Sequence, residues 1–385
     1  MKENAPATGG HGPLRGITVI EMAGLGPAPL AALMLAQMGA RVLRIERTAE
    51  KAFLGLSGDL DYTRHGRSVL KVDLKRPEGV GLVLDLVEKA DVLIEGFRPG
   101  VMERLGIGPD VVLGRNPKLV YGRVTGFGQD GPLAQRAGHD LTYLAYTGIL
   151  HALGQKGARP AVPLNLIGDY GGGTMFLIAG ILAALVERAT SSKGQVIDAA
   201  MVDGALNLAL PLFAYMAAGQ WQDRPASNLL DSGTPFYDTY ETADGRHVAV
   251  ACLEPQFFAE FARLLPLDQA FCARQYDRSC WADLRDAIAT RLKERSRDAW
   301  AAHFNDTDAC VAPVLGFEEA RRHPHNVARA AHIDDRSFPR PAPAPRLSRS
   351  PLSPASGCAA DTAADILKAF GVADAKALVS DGIVA

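Results

Sequence analysis

The chain of 385 residues is longer than one hydrophobic core usually sustains, so two domains or one elaborated domain are expected. Its 41 Lys and Arg against 43 Asp and Glu give a formal charge of -2 with no long block of one sign, which argues against nucleic acid or a charged membrane surface as partner. The five cysteines contain no C-x-x-C pair, so neither a disulfide framework nor a zinc site is indicated, and a reducing cytoplasm fits.

In chain order, the opening MKENAPATGGHGPLRG is polar and Gly-rich without an apolar stretch, and reads as a loose leader rather than a secretory signal. Residues 17–22, ITVIEM, form a β-rich run, followed by PAPLAALMLAQMGA, a helix with prolines at its start and Gly39 near its end. RVLRIE (41–46) and SVLKVDL (68–74) are the next strands, a helix covers 77–90, and DVLIEGF (91–97) is a further strand. A short helix begins near Val101, and LVYGRVTGFG (119–128) closes the series. Strands alternating with helices predict a parallel sheet in an α/β domain. The first strand-to-helix turn, AGLGPAP, approaches a dinucleotide fingerprint but carries Pro29 where the third glycine belongs, and Pro27 stiffens the loop. A Rossmann-like fold without nicotinamide or flavin is therefore expected.

Two apolar runs invite a membrane reading. Residues 175–186 are too few to span a bilayer, and residues 199–218 contain Asp203, Asn207 and Pro211, so both are read as buried core helices and no membrane span is expected. After Asn228 the pattern changes. PFYDTYETADGRHVAVACLEPQFF holds two alternating runs joined by Ala243, Asp244 and Gly245, a hairpin signal, with helices following at 255–265, 281–294 and 297–304. The segment 338–354, rich in Pro, Ser and Arg, should run extended before a last helix at 361–370. The expected division is a large Rossmann-like domain over 1–225, completed by 330–385, and a small α+β domain over 226–329.

Three places carry candidate chemistry: His139 and Asp140 in RAGHDLTYLAYTG, Asp169 ahead of Gly171, Gly172 and Gly173 in PLNLIGDYGGGTMF, and Glu254 in CLEPQFF. Taken singly, a His beside an Asp is commonly a hydrogen-bonded core pair and an Asp before a helix commonly an N-cap. Together they suggest more. Asp169 is read as lying in a Gly-permissive turn that opens an apolar helix, where free backbone N–H groups could hold an oxyanion and the glycines would admit a close approach. His65, His151, His323, His325 and Cys252 are left as structural residues, and no metal site is expected.

These motifs are similar to those of the α-methylacyl-CoA racemase branch of the family III CoA-transferase (CaiB/BaiF) superfamily, over essentially the whole chain. The resemblance is carried by VIEMAGLGPAP, RVLRIER, DVLIEGFRPGVMERLG, GHDLTY, PLNLIGDYGGG, KGQVIDAAMVDG, DTYETADGRHVAV and EPQF. It implies that His139 and Asp169 are the acid/base pair of a racemisation, with Glu254 orienting the histidine. It also implies CoA contacts from Arg47, from Val72, Asp73, Leu74 and Lys75, from Gly96, Phe97 and Arg98, from Arg104, and from Gly138, Asp140, Leu141, Thr142 and Tyr143. From the residues alone, Arg47, Lys75 and Arg98 each follow a predicted strand, where α/β sheets bind ligands. The resemblance further implies that no cofactor is needed, since CoA belongs to the acyl-CoA substrate, and that two chains interlock as a homodimer with each site shared between them. The alternatives are a CoA-transferase using Asp169 as nucleophile, whose relatives lack the histidine of GHD, and a CoA-binding regulator without activity.

Overall fold

The computed structural model describes residues 11–48, 60–334, 339–355, 357, 361–372 and 374–385. Residues 1–10 of the expected leader, Phe338 at the start of the Pro-rich segment, and Cys358 lie outside the described residues.

Six strands form one sheet: β1 (Thr18–Met22), β2 (Arg41–Glu46), β3 (Ser68–Lys71), β4 (Val92–Glu95), β5 (Val120–Thr125) and β6 (Val196–Ala200). Their order is β3-β2-β1-β4-β5-β6, and every pairing is parallel. The first five are rich in β-branched and aliphatic residues and mostly buried, as a sheet covered on both faces requires. One face packs Ile20, Leu43, Leu70 and Leu93 against α2 (Pro77–Val87), α3 (Val101–Arg104) and α4 (Pro109–Arg115), a core joined by Ile366 and Leu367 from the C-terminal region. The other packs Val19, Val42 and Val92 against α1 (Pro27–Gln37) and a later helix that supplies Leu177 and Ile181. The strand order reverses direction between β1 and β4, so the loops after those strands part and leave a crevice at their carboxyl ends.

The middle of the chain departs from the sequence expectation. After α5 (Asp140–Thr147) and α6 (Ile149–Ala152), Asp169 is not at a turn. It lies in the first turn of a π-helix, Leu166–Met175, that continues directly into α7 (Phe176–Ser191). The run 199–218 is not one buried helix: its first two residues end β6, and α8 (Met201–Leu208) and α9 (Leu210–Ala217) follow. Pro211 marks the break, since a proline fits only the first turn of a helix. No residue of α9 is buried, and Leu210, Phe213 and Met216 are exposed. Among the described residues, one continuous helix, Leu166–Ser191, is long and apolar enough to cross a membrane; its Leu177, Ile178, Ile181 and Ala184 are buried in the sheet core instead.

Compact packing divides the chain into two units. The first comprises Met1–Thr147, Pro163–Leu208 and Ala342–Ala385, and the second Gly148–Val162 and Ala209–Pro341. The second unit thus begins earlier than expected and takes in the segment around α6. It contains the antiparallel strands β7 (Tyr237–Glu241), β8 (His247–Ala251) and β9 (Val311–Pro313). The first two form the expected hairpin, with Gly245 at φ 72 in its turn. Helices α10 (Pro255–Leu264), α11 (Trp281–Leu292) and α12 (Arg297–Phe304) close over Phe236, Phe258, Phe261, Ile288 and Trp300.

Candidate active site

The loop leaving β5 is built around one tyrosine. A Cβ at Gly126 or Gly138 would lie 2.1 or 2.5 Å from the Tyr143 ring, so neither position admits a side chain. Tyr143 donates its hydroxyl hydrogen to the Gly138 carbonyl and meets Phe127 edge-on at 5.1 Å. Burial, reinforced by the nearby Asp169 charge, pushes the phenol up to about 12, so it stays neutral. His139 follows on this fixed base. Its carbonyl accepts the N–H groups of Thr142 and Tyr143 that begin α5, while Thr142 Oγ1 accepts the His139 N–H at 2.9 Å and donates to its carbonyl at 2.8 Å. The backbone is held from both sides, and the imidazole is exposed.

Asp140 joins His139 to Asp169. It is 3 % exposed, and its Oδ2 accepts the backbone N–H groups of Gly168 at 2.6 Å and Asp169 at 2.8 Å. One oxygen of Asp140 is thus taken by the protein's own backbone, and the two amides nearest Asp169 are spent on it instead of being open to an oxyanion. The glycines are also explained differently. A Cβ on Gly172 would lie 2.6 Å from the Met201 carbonyl, one on Gly204 would lie 2.0 Å from the Gly172 carbonyl, and one on Gly173 would press on Met201 and Pro27. They admit α8 and α1 to the π-helix, not a ligand.

Asp169 itself is partly buried, with its carboxylate facing Gly26, where a Cβ would lie 3.6 Å from Oδ2. Gly26 ends the loop after β1, so the carboxylate stands at the crevice. Its pKa is raised by burial and by Asp140, against the opposing hydrogen bond from Asn165 and the influence of His139. Asn165 Nδ2 donates to Oδ2 at 3.3 Å. Sequence reasoning passed over this residue, although its spacing of four from Asp169 in PLNLIGD was the available signal.

Most of the expected CoA contacts follow β2, β3 and β4, while Arg104 closes α3 and the 138–143 stretch leads into α5. Arg47, Lys75, Gly96, Arg98 and Arg104 are exposed, and the Arg47 guanidinium stands 6.0 Å from the Phe97 ring centroid. Among the described residues Arg47, Arg98 and Arg104 form no ion pair. Lys75 donates its N–H to Asp73 Oδ1, and Leu74 packs on the core. Val72 is fully buried, pairs with Val384 and donates its N–H to the Glu46 carbonyl, so it offers a ligand neither side chain nor amide. Leu141 is exposed on α5, whereas Thr142 and Tyr143 are committed to the internal bonds above.

Glu254 lies in the second unit, exposed, immediately before Pro255 at the start of α10. Cys252 is buried beside the Phe236 carbonyl, and burial pushes its thiol far up, consistent with packing. Among the described residues no three His, Cys, Asp or Glu side chains gather as metal ligands. A cavity of about 460 Å³ opens between Asp91, Asn116, Lys118 and Arg188, at the amino ends of β4 and β5, and holds none of the expected residues.

Residues 14–358 match the model of CoA-transferase family III. The chain is 43% identical to α-methylacyl-CoA racemase of Mus musculus over 344 residues, covering 89% of this chain and 88% of that one. It is 40% identical to the Homo sapiens α-methylacyl-CoA racemase over 342 residues, with coverage of 89% and 88%. A crystal structure of a CaiB/BaiF family protein from Brucella suis superposes with TM-score 0.75 at 26% identity, covering 91% of this chain and 96% of that one.

Proposed function

The chain belongs to CoA-transferase family III, and from that premise we propose that it is a 2-methylacyl-CoA racemase, interconverting (2R)- and (2S)-2-methylacyl thioesters through an enolate. The observation that carries the reading is the Asp140 carboxylate, which ties the segment bearing His139 to the backbone of Asp169. That tie between the two segments supports reading His139 and Asp169 as one site.

Racemisation requires a base on one face of the α-carbon and an acid on the other, with roles exchanged for the opposite enantiomer. His139 and Asp169 supply the two groups. A raised carboxyl pKa suits Asp169 to both roles, because it makes the carboxylate a stronger base and keeps the acid form within reach. Matching bases is not sufficient. The α-proton of a thioester has a pKa of roughly 20, about 13 units above imidazole, so unaided transfer is uphill by roughly 18 kcal/mol at about 1.36 per unit. Donors must meet the enolate oxygen, and they are not the Gly168 and Asp169 amides, which Asp140 occupies.

CoA enters as part of the substrate, its phosphates drawn to Arg47 and Arg98 after their strands and to Arg104 at the end of α3, which form no ion pair among the described residues. No further cofactor takes part in this scheme. The protein acts in the cytoplasm as a homodimer, with Glu254 of one chain completing the site built from His139 and Asp169 of the other. The exposed Leu210, Phe213 and Met216 of α9 support association of copies.

Incubating one enantiomer of a 2-methylacyl-CoA with the protein in deuterated water tests the reading. Deuterium at the α-carbon with loss of optical purity is the expected result. Turnover of unlabelled thioester only when an acceptor acid is added would instead make the protein a transferase. His139→Ala should lose exchange from one enantiomer by about a hundredfold or more while retaining CoA binding; wild-type exchange from both would remove His139 from the mechanism.

A further inference from the structure

Arg123, on β5, is buried on the face of the sheet that meets α3. Its fork is divided between two carboxylates. Nε donates to Glu95 Oε1 at 2.8 Å, directly across the β4 and β5 register, while Nη1 and Nη2 donate to the two oxygens of Glu103 at 2.8 and 3.3 Å. Glu95 is fully buried, and its other oxygen accepts the backbone N–H of Phe97 at 2.6 Å. Glu103 belongs to α3 and immediately precedes Arg104. One guanidinium therefore anchors the loop of Phe97 and Arg98 through Glu95, and the helix of Arg104 through Glu103.

Only arginine has the geometry for this arrangement, since its rigid, permanently charged fork can meet one carboxylate through Nε and a second through both terminal nitrogens. The buried Glu95 would be costly without its partner. Resting on the acyl-CoA reading above, we propose that Arg123 is a positioning residue for the CoA portion of the substrate, setting the spacing between the Phe97 and Arg98 loop and Arg104 without touching CoA itself.

The test uses the full chain and free CoA. Glu103→Gln neutralises a carboxylate whose side chain is 43% exposed, and leaves the buried pair of Glu95 and Arg123 intact. By Coulomb attraction alone, removing a negative charge beside a cation-lined site would tighten CoA binding. Positioning requires the opposite sign. Calorimetric titration is expected to show CoA affinity weakened about fivefold, with KM for the acyl-CoA rising in step and kcat within about twofold of wild type. Arg123→Lys, able to engage one carboxylate well but not both, should weaken CoA about tenfold. Unchanged or tighter CoA binding by Glu103→Gln at an unaltered melting temperature overturns the proposal, as does a fall in kcat with KM preserved. Should Arg123→Lys fail to fold, Glu103→Gln decides alone. Wild-type protein that binds no CoA would overturn the acyl-CoA reading, and the present inference with it.

Discussion

At Asp169, burial lifts the carboxyl above the ordinary range while the Asn165 amide favours the anion. Asn165→Ala removes that donor, so the pKa should rise further and the acid limb of α-proton exchange, for the enantiomer that uses the carboxylate as base, should move to higher pH. A pH profile of deuterium exchange checks this, and an unmoved limb would disconnect Asn165 from the chemistry. The same raised pKa bears on stability. Because the folded value lies above the unfolded one, the contribution is fully present below the unfolded pKa and is lost as pH rises through the folded pKa. Near neutral pH the charge costs stability, so Asp169→Asn should melt at a higher temperature than wild type there, with the gap narrowing towards about pH 4, and exchange should fall by about a hundredfold or more. Calorimetry at the two pH values would contradict this if the variant melted lower at neutrality. His139 and Asp169 stand out in the sequence as candidates because unusual residue types interrupt apolar segments. The internal tie made by Asp140 was not legible, since no pattern announces that a carboxylate oxygen's partners are backbone amides 28 and 29 residues away.

The elements divide by how local their cause is. Strands β1 to β5 are short β-branched or aliphatic runs bounded by Gly, Pro or charged residues, and periodicity locates them. Strand β6 passes into α8 with no intervening turn residue, so its last two residues, Ala199 and Ala200, merged with the apolar run behind them. The π-helix was illegible for a related reason: its glycines resemble a turn, yet they answer to α8 and α1, which sequence distance conceals. That explanation makes a signed prediction. Gly204→Ala places a methyl group 2.0 Å from the Gly172 carbonyl and should destabilise the protein by about 3 kcal/mol. Gly81→Ala, in α2 with nothing within 4 Å of the added Cβ, should stabilise it by about 0.7 kcal/mol. Urea denaturation of both variants is the check, and equal midpoints would show that helix contact does not select Gly204.

For the molecule as a whole, the two units place His139 and Asp169 in one and Glu254 in the other. If sites are completed between chains, His139→Ala and Glu254→Ala proteins, each weak alone, should recover activity when mixed and allowed to exchange subunits, because the hybrid contains one intact site. Recovery to about a quarter of wild-type activity is expected from random pairing of equal amounts. Mixing without recovery, where co-purification of differently tagged chains shows that hybrids have formed, would assign Glu254 to the site of its own chain. Sedimentation of wild type should give twice the chain mass, and Phe213→Asp on the exposed α9 should lower it.

What the amino-acid order determined alone was local: the alternation of strands and helices, the hairpin of the second unit, the proline that breaks the dinucleotide loop, and the titratable residues out of keeping with their neighbours. Those features arise from backbone preference and side-chain period over a few residues. Tertiary structure decided which amides cap Asp140, why the glycines of the π-helix are glycines, and how Arg123 joins two segments by its paired carboxylates. Each depends on atoms distant in the chain meeting within a few ångströms, and a hydrogen bond or a steric limit leaves no periodic trace by which its partner can be read.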